Sequence, residues 1–433
     1  MTNAQLAQCR KRLEHFLTDL VEPLGRSERR HWADVYVRGL LLDGERKSIE
    51  PLAARVPDGN VQALQQLVGQ SPWAWLPVWE RLAQRMTAEL EPEPAWVVDD
   101  TGFPKQGEHS VGVERQYSGT LGKVGNCQVA VSLHHVGEQG HAVLGWRLYL
   151  PARWATDPAR REAAGIPDAV VFQPKWQLGL DLIDQARAWG LADRCVVADA
   201  GYGDATEFRD GLEARHLAYV VGIAATVGVW IRPPTATVPP YRGRGQPPTR
   251  YTYGTQRPMA AKEAVAHATG WKTVRWRHGT QGWLTSRFLA LRVQPSHGYV
   301  QGDPPHKQVW LLAEWPAAEP APTKYWLGDL PPSTPLRRLV RVAKCRWAIE
   351  QDYQQLKDEL GLDHYEGRGW VGWHHHVTLV MLAHAFLTLE TLRRKKTPGW
   401  TLPQTRRELQ VLLCTWTGVC AYCRAKIPPF RGS

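Results

Sequence analysis

Apolar residues recur every three or four positions through the first ninety residues. The spacing is clear in AQLAQCRKRLEHFLTDL and in VQALQQLVGQSPWAWLPVWERLAQRM, and it is the period of an amphipathic helix. Residues 1–90 are therefore predicted to form a basic helical region. Such a region either reads DNA or caps the domain that follows, and the pattern leaves both alternatives open.

After the linker EPEP the pattern changes to short apolar runs that are typical of buried strands. AWVV is predicted to be a strand that ends at Asp99 and Asp100, and CVVA a strand that leads into Asp199. Between them lie two predicted strands, CQVAVSLHH and HAVLGWRLYLP, and the helix WQLGLDLIDQARAWGL. The helix TEFRDGLEARH and the strand LAYVVGI follow. Residues 91–223 are thus predicted to form the first part of an α/β domain.

The later part of the chain divides by composition. Residues 224–330 contain a loop rich in Pro and Arg and then strand-like runs rich in Trp, which predict a β-rich insertion. Residues 331–396 return to the helical period, and residues 397–433 form a basic tail. The most apolar run, VTLVMLAHAFLTLETL, is too short for a membrane span and is predicted to be a buried helix.

Charge and cysteine content narrow the class of protein. The formal net charge is +11 and the pI is about 9.4, which favours a polyanionic partner, although a basic enzyme without nucleic acid has the same balance. Seven scattered cysteines and a start without an apolar signal segment are typical of a reducing cytoplasm. Cys420 and Cys423 form one CxxC, and no second pair completes a zinc site.

Three carboxylates are candidates for chemistry. Asp100 and Asp199 follow buried strands, and Glu350 lies in the predicted helix RWAIEQDYQQLKDELG. Ends of adjacent strands meet at one edge of a sheet, and a packed helix can bring a third carboxylate there. Such a cluster repels itself unless a cation is bound, and hard oxygen ligands suit Mg²⁺. Two such ions about 3.5–4 Å apart can assist phosphodiester chemistry.

The residues around Glu350 show a regular spacing. At about 100° per residue, Arg346, Glu350 and Lys357 share one face of a single helix. Taken alone, this pattern is better explained by a solvated stripe with one ion pair than by a site. If the carboxylate holds a metal, the two flanking cations are placed to contact phosphates.

Taken together, these motifs resemble the bacterial insertion-sequence transposases of the DDE type. DDTG at Asp99–Gly102 and DAGYG at Asp199–Gly203 are similar to the first and second acidic motifs of that family, and the strand and helix order is similar to its RNase H-like core. Its cut-and-paste branch has a β-rich insertion and a Tyr-x2-Arg-x3-Glu-x6-Lys signature. Arg346, Glu350 and Lys357 match the signature, and Ala343 stands in the place of the Tyr.

The resemblance implies a fold, an activity and a site. The fold is α/β, with an RNase H-like mixed sheet flanked by helices, a β-rich insertion and an N-terminal helical domain. The activity is cleavage at terminal inverted repeats followed by joining of the 3′-OH ends to target DNA. Asp100, Asp199 and Glu350 are the implied catalytic residues and metal ligands, because the family places the first ligand immediately before Thr101. Asp99 is then either a neighbour of the site or solvated.

Cofactor and partners follow from the same resemblance. The cofactor is Mg²⁺, two ions, with Mn²⁺ as a substitute. The partner is double-stranded DNA, bound by a homodimer or larger synaptic complex in the bacterial cytoplasm at the nucleoid, without a membrane. Two alternatives remain open: an RNase H-like nuclease that does not transpose, and a non-catalytic DNA-binding regulator descended from a transposase.

Further DNA contacts are predicted in the loop between the first two strands. Lys105, Arg115 and Lys123 either track the DNA backbone or belong to a mobile basic hairpin. The resemblance also implies that an aromatic residue of the insertion stacks on a flipped base, and most of the tryptophans there must instead be core. The run His374–His376 cannot chelate one ion, because consecutive residues of a helix point in different directions.

Overall fold

The computed structural model describes residues 3–57, 59–90, 95–120, 122–232, 237–248, 257–279, 282–297, 306–394, 400–419 and 426. The chain divides into two compact units. The first comprises Met1–Glu93, Asp99–Ala192 and Ala348–Ser433, and the second comprises Pro94–Val98 and Asp193–Trp347. The CxxC cysteines, Cys420 and Cys423, lie outside the described residues.

The N-terminal part of the first unit is helical, as its period predicts. An Asn side chain begins one of these helices, since Asn60 Oδ1 accepts the N–H of Ala63 at 3.0 Å. The helices are α1 (Asn3–Leu20), α2 (Ser27–Leu41), α3 (Ile49–Ala53), α4 (Val61–Gly69) and α5 (Leu76–Glu89).

Strands and three helices follow in the first unit. They are β1 (Ala95–Pro104), β2 (Glu114–Ser118), β3 (Lys123–Val136), β4 (His141–Leu148), α6 (Ala152–Ala155), α7 (Pro158–Ala164) and α8 (Lys175–Ala188). Strand β1 begins in the second unit and continues from Asp99 in the first. Strands β2, β3 and β4 form an antiparallel meander. Just beyond β1, the N–H of Lys105 donates to the carbonyl of Asn126 in β3 at 3.0 Å.

The second unit is built on a large mixed sheet. Within it the strand order is β1-β5-β6-β12-β11-β10-β7-β8, and β9 pairs with β10. Strands β1, β5 and β6 are parallel and the others antiparallel. The elements are β5 (Cys195–Ala198), α9 (Ala200–Gly203), α10 (Thr206–Ala214), β6 (Tyr219–Ile223), β7 (Gly228–Trp230), β8 (Met259–Ala260), α11 (Ala261–Ala266), β9 (Lys272–Gly279), β10 (Gly282–Pro295), β11 (Val309–Trp315), β12 (Lys324–Gly328) and α12 (Leu336–Lys344).

The first unit is completed by C-terminal helices. These are α13 (Trp347–Gln354), which continues into a π-helical turn (Gln355–Glu359), then α14 (Trp370–Arg394) and α15 (Leu402–Thr417). Helix α14 contains the most apolar run of the sequence and is buried along nearly its whole length. It packs on the N-terminal helices: the ring centroids of Phe16 and Phe386 are 5.5 Å apart, and Trp79 Nε1 donates to Thr378 Oγ1 at 2.7 Å. Among the described residues, no helix is long and apolar enough to cross a membrane.

The predicted fold class is confirmed, since the protein is mixed α/β with a large mixed sheet flanked by helices. The chain order β1, β3, β4, α8, β5, α10, β6 is the order predicted for an RNase H-like core. Two local predictions were wrong. Strand β1 does not end at the two aspartates but continues to Pro104, and part of the predicted Gly-rich loop forms β2. Pairing between β2 and β3 stabilises these polar residues as strand, and their own pattern does not predict it.

Candidate active site

The first acidic motif lies inside strand β1. Asp99 is 7% exposed, whereas Asp100 is half-buried, as expected for adjacent strand residues that point to opposite faces. The Asp99 carboxylate accepts the N–H of Asp100 at 2.9 Å. Lys175, the first residue of α8, places its ammonium Nζ 3.0 Å from Asp100 Oδ2. The carboxylate that the resemblance assigns to metal binding is therefore already paired with a lysine ammonium.

Gly102 completes the DDTG motif for a steric reason. A Cβ at this position would lie 2.1 Å from the Oγ and 2.8 Å from the Cβ of Ser118, a buried residue at the end of β2. Any larger side chain would force β1 and β2 apart. Gly102 therefore allows β1, just after Asp100, to pack directly on the β2–β3 hairpin.

The second acidic motif begins a helical turn. Asp199 follows β5 and is the N-cap of α9, where its Oδ1 accepts the N–H of Gly201 at 2.9 Å. Gly203 closes this turn, and its backbone N–H donates to the Asp199 carbonyl at 2.8 Å. The predicted buried strand thus leads into Asp199, and the DAGYG residues form a short, capped turn that the sequence pattern did not predict.

The register of the sheet relates the first two motifs. In the second unit, Val98 of β1 and Ala198 of β5 are parallel register partners. Both are completely or almost completely buried. In the chain, Asp99 and Asp100 directly follow Val98, and Asp199 directly follows Ala198.

The third carboxylate, Glu350, lies in the first turn of α13 with its side chain exposed. The prediction that one helix carries Arg346, Glu350 and Lys357 on a shared face was wrong. Helix α12 ends at Lys344, Arg346 lies in the turn before α13, and the helix becomes π-helical before it reaches Lys357. The break and the wider π turn change the angle per residue, so Lys357 is buried while Glu350 is exposed.

Lys357 is bound within the protein. Its ammonium donates to Thr101 Oγ1 and to the Gly102 carbonyl, both at 2.8 Å, and to Thr120 Oγ1 at 3.0 Å. The residue is 9% exposed, and burial lowers the pKa of its ammonium to about 8. The three protons of the ammonium therefore all have oxygen acceptors in the first unit.

A buried network lies beneath Glu350 and was missed at the sequence level. Asp352 has no exposed surface. Its Oδ2 is 2.7 Å from His134 Nδ1 and its Oδ1 is 2.5 Å from His141 Nδ1, while His384 Nε2 lies 3.4 Å away. Burial raises the pKa of the Asp352 carboxyl, but His141 and His134 have the larger combined effect and lower it below its usual range.

The network extends from His134 to the helix. Ser132 Oγ lies 2.8 Å from His134 Nε2 and 2.7 Å from the hydroxyl of Tyr353. Strand β3 and helix α13 are thereby joined by polar contacts in an otherwise apolar core. Two features of the sequence could have indicated this network: a histidine in the apolar run CQVAVSLHH, and an aspartate on the helix face opposite Glu350.

The three predicted cations of the β1–β3 segment differ in exposure. Arg115 and Lys123 are exposed on β2 and β3. Lys105 instead donates its Nζ to the Tyr365 carbonyl, and burial lowers its pKa. Contacts of these residues with DNA stay a prediction, with Arg115 and Lys123 accessible and Lys105 bonded within the first unit.

Five tryptophans of the insertion are candidates for stacking on a base and differ in exposure: Trp271, Trp276, Trp283, Trp310 and Trp315. Trp283 is 57% exposed. The others are partly buried and contact neighbouring side chains or backbone of the second unit. Examples are Trp271 on Trp315, with ring centroids 5.4 Å apart, and Trp276 on Phe288 at 5.6 Å. Trp310 donates its Nε1 to the Pro331 carbonyl at 3.2 Å.

The histidine run on α14 consists of separate core residues. His374 stacks on Trp75, with centroids 4.4 Å apart, and His375 stacks on Trp73 at 3.6 Å. His376 Nδ1 instead lies 3.0 Å from the hydroxyl of Tyr36. The three rings thus point to different main partners, as the helix geometry predicts, although Trp75 also lies edge-on to His375 at 5.8 Å.

The donor chemistry of the predicted ligands fits a hard divalent cation, because Asp100, Asp199 and Glu350 supply carboxylate oxygens. Asp100 already accepts a cationic group, Lys175. Over the part of the chain that the structure describes, no group of three or more His, Cys, Asp or Glu side chains could together hold a metal ion. Asp100 and Glu350 belong to the first unit and Asp199 and Arg346 to the second.

The family of the protein follows from comparison with known sequences. A family model described as DDE superfamily endonuclease matches residues 19–283, more than half of the chain. The protein therefore belongs to the DDE superfamily of endonucleases. The matched segment includes Asp100 and Asp199 and ends before Glu350.

A curated relative and a solved structure are similar to the chain. "Probable transposase for insertion sequence element IS701" from Microchaete diplosiphon is 28% identical over 197 residues, which are 45% of this chain and 49% of that protein. The chain thus spans about half the length of this relative. The cryo-EM structure of a piggyBac transposase synaptic complex with hairpin DNA has a TM-score of 0.44 and 10% identity, covering 94% of this chain and 74% of that one.

Proposed function

We propose that this protein is a DNA transposase that cleaves the ends of its insertion sequence at terminal inverted repeats and joins the 3′-OH ends to target DNA. The observation that carries the proposal is the parallel pairing of β1 with β5, whose last paired residues, Val98 and Ala198, directly precede the two acidic motifs. Membership of the DDE superfamily and the similarity to an insertion-sequence transposase support the same activity.

Asp100, Asp199 and Glu350 are the residues that would hold the divalent cation, Mg²⁺ with Mn²⁺ as a substitute. When bound, two such ions would activate the attacking oxygen and stabilise the leaving oxygen of the phosphodiester. Each carboxylate lies on a defined element: Asp100 is within β1, Asp199 is the N-cap of α9, and Glu350 is in the first turn of α13. Lys175 keeps the Asp100 carboxylate paired with a positive charge.

DNA contacts are assigned to exposed or partly exposed cations. Arg346 would contact a phosphate beside the scissile bond, as its place in the Arg-x3-Glu-x6-Lys pattern suggests. Arg115 and Lys123 would follow the backbone of the duplex from the β2–β3 hairpin, since both are exposed. The formal net charge of +11 supports binding to a polyanion. A homodimer or larger assembly would bring the two ends together.

The test uses the purified protein and a labelled DNA fragment that contains its own reading frame and flanks. Wild type with Mg²⁺ should make double-strand breaks at paired inverted repeats, and EDTA should abolish them. Glu350→Gln should lower cleavage to less than about one hundredth while DNA binding is kept, because it removes the negative charge of one metal ligand.

Asp358→Asn is the matched control, since Asp358 is an exposed carboxylate on the next turns of the same helix. It should cut like wild type. Full activity of Glu350→Gln would refute the assigned ligand set. Binding without cleavage by wild type would indicate the regulator, and cuts unrelated to the repeats would indicate the nuclease.

A further inference from the structure

Lys357 lies where three segments of the first unit meet. Its ammonium contacts the strand β1 just after Asp100, through Thr101 and Gly102, and the turn between β2 and β3, through Thr120. Lys357 itself belongs to the π-helical turn that continues α13. One side chain therefore links the strand of one proposed ligand to the helix of another.

The acceptors around the ammonium also contact each other. Thr120 Oγ1 lies 3.3 Å from the Gly102 carbonyl and 3.4 Å from Thr101 Oγ1. The ring of Phe103 covers one side, with Nζ 5.5 Å from its centroid, a cation–π distance. The ammonium is thus enclosed by protein groups, and each of its three protons is directed to an oxygen.

We propose that Lys357 is a positioning residue, which fixes the strand of Asp100 relative to the helix of Glu350 by binding Thr101, Gly102 and Thr120 rather than DNA. The inference rests on the proposed function for the role of the two carboxylates. Thr101 directly follows Asp100, and Lys357 lies seven residues after Glu350 on a continuous helical segment. Holding Thr101 and Lys357 together therefore limits the distance between the two carboxylates.

A phosphate contact would require a different arrangement. The buried side chain would have to leave all or some of its three acceptors, which would then lack a donor in a poorly hydrated place. Exposed cations such as Lys123 can reach DNA without that loss. A positioning role and a phosphate-contact role for Lys357 therefore predict different salt dependence of DNA binding, since each phosphate contact releases a counterion.

The first experiment compares Lys357→Met with the matched control Lys123→Met, an exposed lysine of the adjoining hairpin. Affinity for a 30-base-pair duplex is measured over a range of KCl concentrations. Loss of a phosphate contact makes the slope of log K against log [KCl] less negative by about 0.9. We expect that change for Lys123→Met and an unchanged slope for Lys357→Met. A change of about 0.9 for Lys357→Met would overturn the proposal.

The second experiment measures Mn²⁺ binding to the folded variants, well below their melting temperatures. Misplaced carboxylates should weaken Mn²⁺ affinity at least about tenfold in Lys357→Met. Thr120→Val, which removes one acceptor and keeps the lysine, should weaken it less, and Thr120→Ser should restore the wild-type value. An unchanged Mn²⁺ affinity in both Lys357→Met and Thr120→Val would overturn the proposal, because Lys357 would then stabilise the fold without positioning the carboxylates. Thr120→Val also carries the test if Lys357→Met does not fold.

A thermal double-mutant cycle separates this proposal from the proposed function. Lys357→Met and Thr120→Val should each lower the melting temperature, Lys357→Met by roughly 2–4 °C. The double variant should be less destabilised than the sum of the two, because both remove one contact. Additive effects would refute the contact. If wild type binds neither DNA nor Mn²⁺ while the cycle shows coupling, the proposed function fails and the Lys357 contact stands.

Discussion

Gly203 lies at the closest approach of the second acidic motif to the sheet. A Cβ there would be 1.9 Å from the carbonyl oxygen of Gly222 in β6 and 3.0 Å from the Cβ of Val221. Gly222 in turn faces the backbone of Asp199 and Ala200, which a Cβ at Gly222 would meet at 3.0–3.4 Å. Because neither Gly203 nor Gly222 has a side chain, the turn that carries Asp199 can pack directly against β6.

Gly203→Ala should accordingly destabilise the protein. Because the clash is with backbone, the turn has to move, and we expect a loss of about 2–3 kcal/mol in the free energy of unfolding. Urea denaturation followed by circular dichroism measures it. Gly69→Ala is the control, since a Cβ at Gly69 at the end of α4 meets nothing within 4 Å. Equal stability of Gly203→Ala and wild type would contradict the close approach.

At the scale of elements, the important feature is how α13 is held. Its exposed side carries Glu350, and its buried side carries Asp352, which contacts β3, β4 and α14 through three histidines. Farther along, Lys357 ties the π-helical turn to β1. A helix held at two points keeps a fixed position and rotation, which the proposed role of Glu350 as a metal ligand requires.

Replacing Asp352 should therefore release the helix. Asp352→Ala leaves buried imidazole groups without their acceptor, and we expect a loss of about 3–5 kcal/mol in stability. Asp352→Asn keeps one acceptor oxygen and should lose less. Thermal unfolding of both variants measures the effect, and the exposed Asp358→Ala should stay within about 0.5 kcal/mol of wild type. A fully stable Asp352→Ala protein would show that the network does not anchor α13.

At the scale of the whole molecule, the first unit buries a row of histidines on α14. Burial lowers the pKa of His374 to about 3, and the pKa of His376 and His384 to about 4. These rings are neutral in the folded protein at pH 5, whereas the unfolded chain protonates them near the ordinary value of 6.5. Between these values the unfolded state binds more protons, so stability must rise with pH.

Unfolding free energies measured between pH 4.5 and 6.5 should show this slope. Each buried histidine contributes up to about 1.4 kcal/mol per pH unit in that window. His376→Gln, which keeps polar atoms near the hydroxyl of Tyr36 and the carbonyl of Gly361, should give a shallower dependence. A slope identical to that of wild type would show that His376 is not held neutral by the fold.

Much of the architecture could be predicted because it depends on local patterns. The runs AWVV and CVVA are apolar on both faces, which is typical of central parallel strands. They placed Asp199 correctly at a strand end and Asp100 on the right strand, although β1 continues past it to Pro104. The helical period placed α1, α5 and α14 correctly. These features depend on the alternation of side chains along one segment, and a single sequence contains that information.

Tertiary structure decided what local patterns could not. The periodicity around Glu350 assumed an ideal helix, but the break at Arg346 and the π turn before Lys357 place these residues in different surroundings. The pairing of Lys175 with Asp100, 75 positions away, and of Asp352 with three histidines depends on contacts between distant segments. The sequence alone determined which residue types were available and on which elements, while long-range packing decided which charges are buried and what they bind.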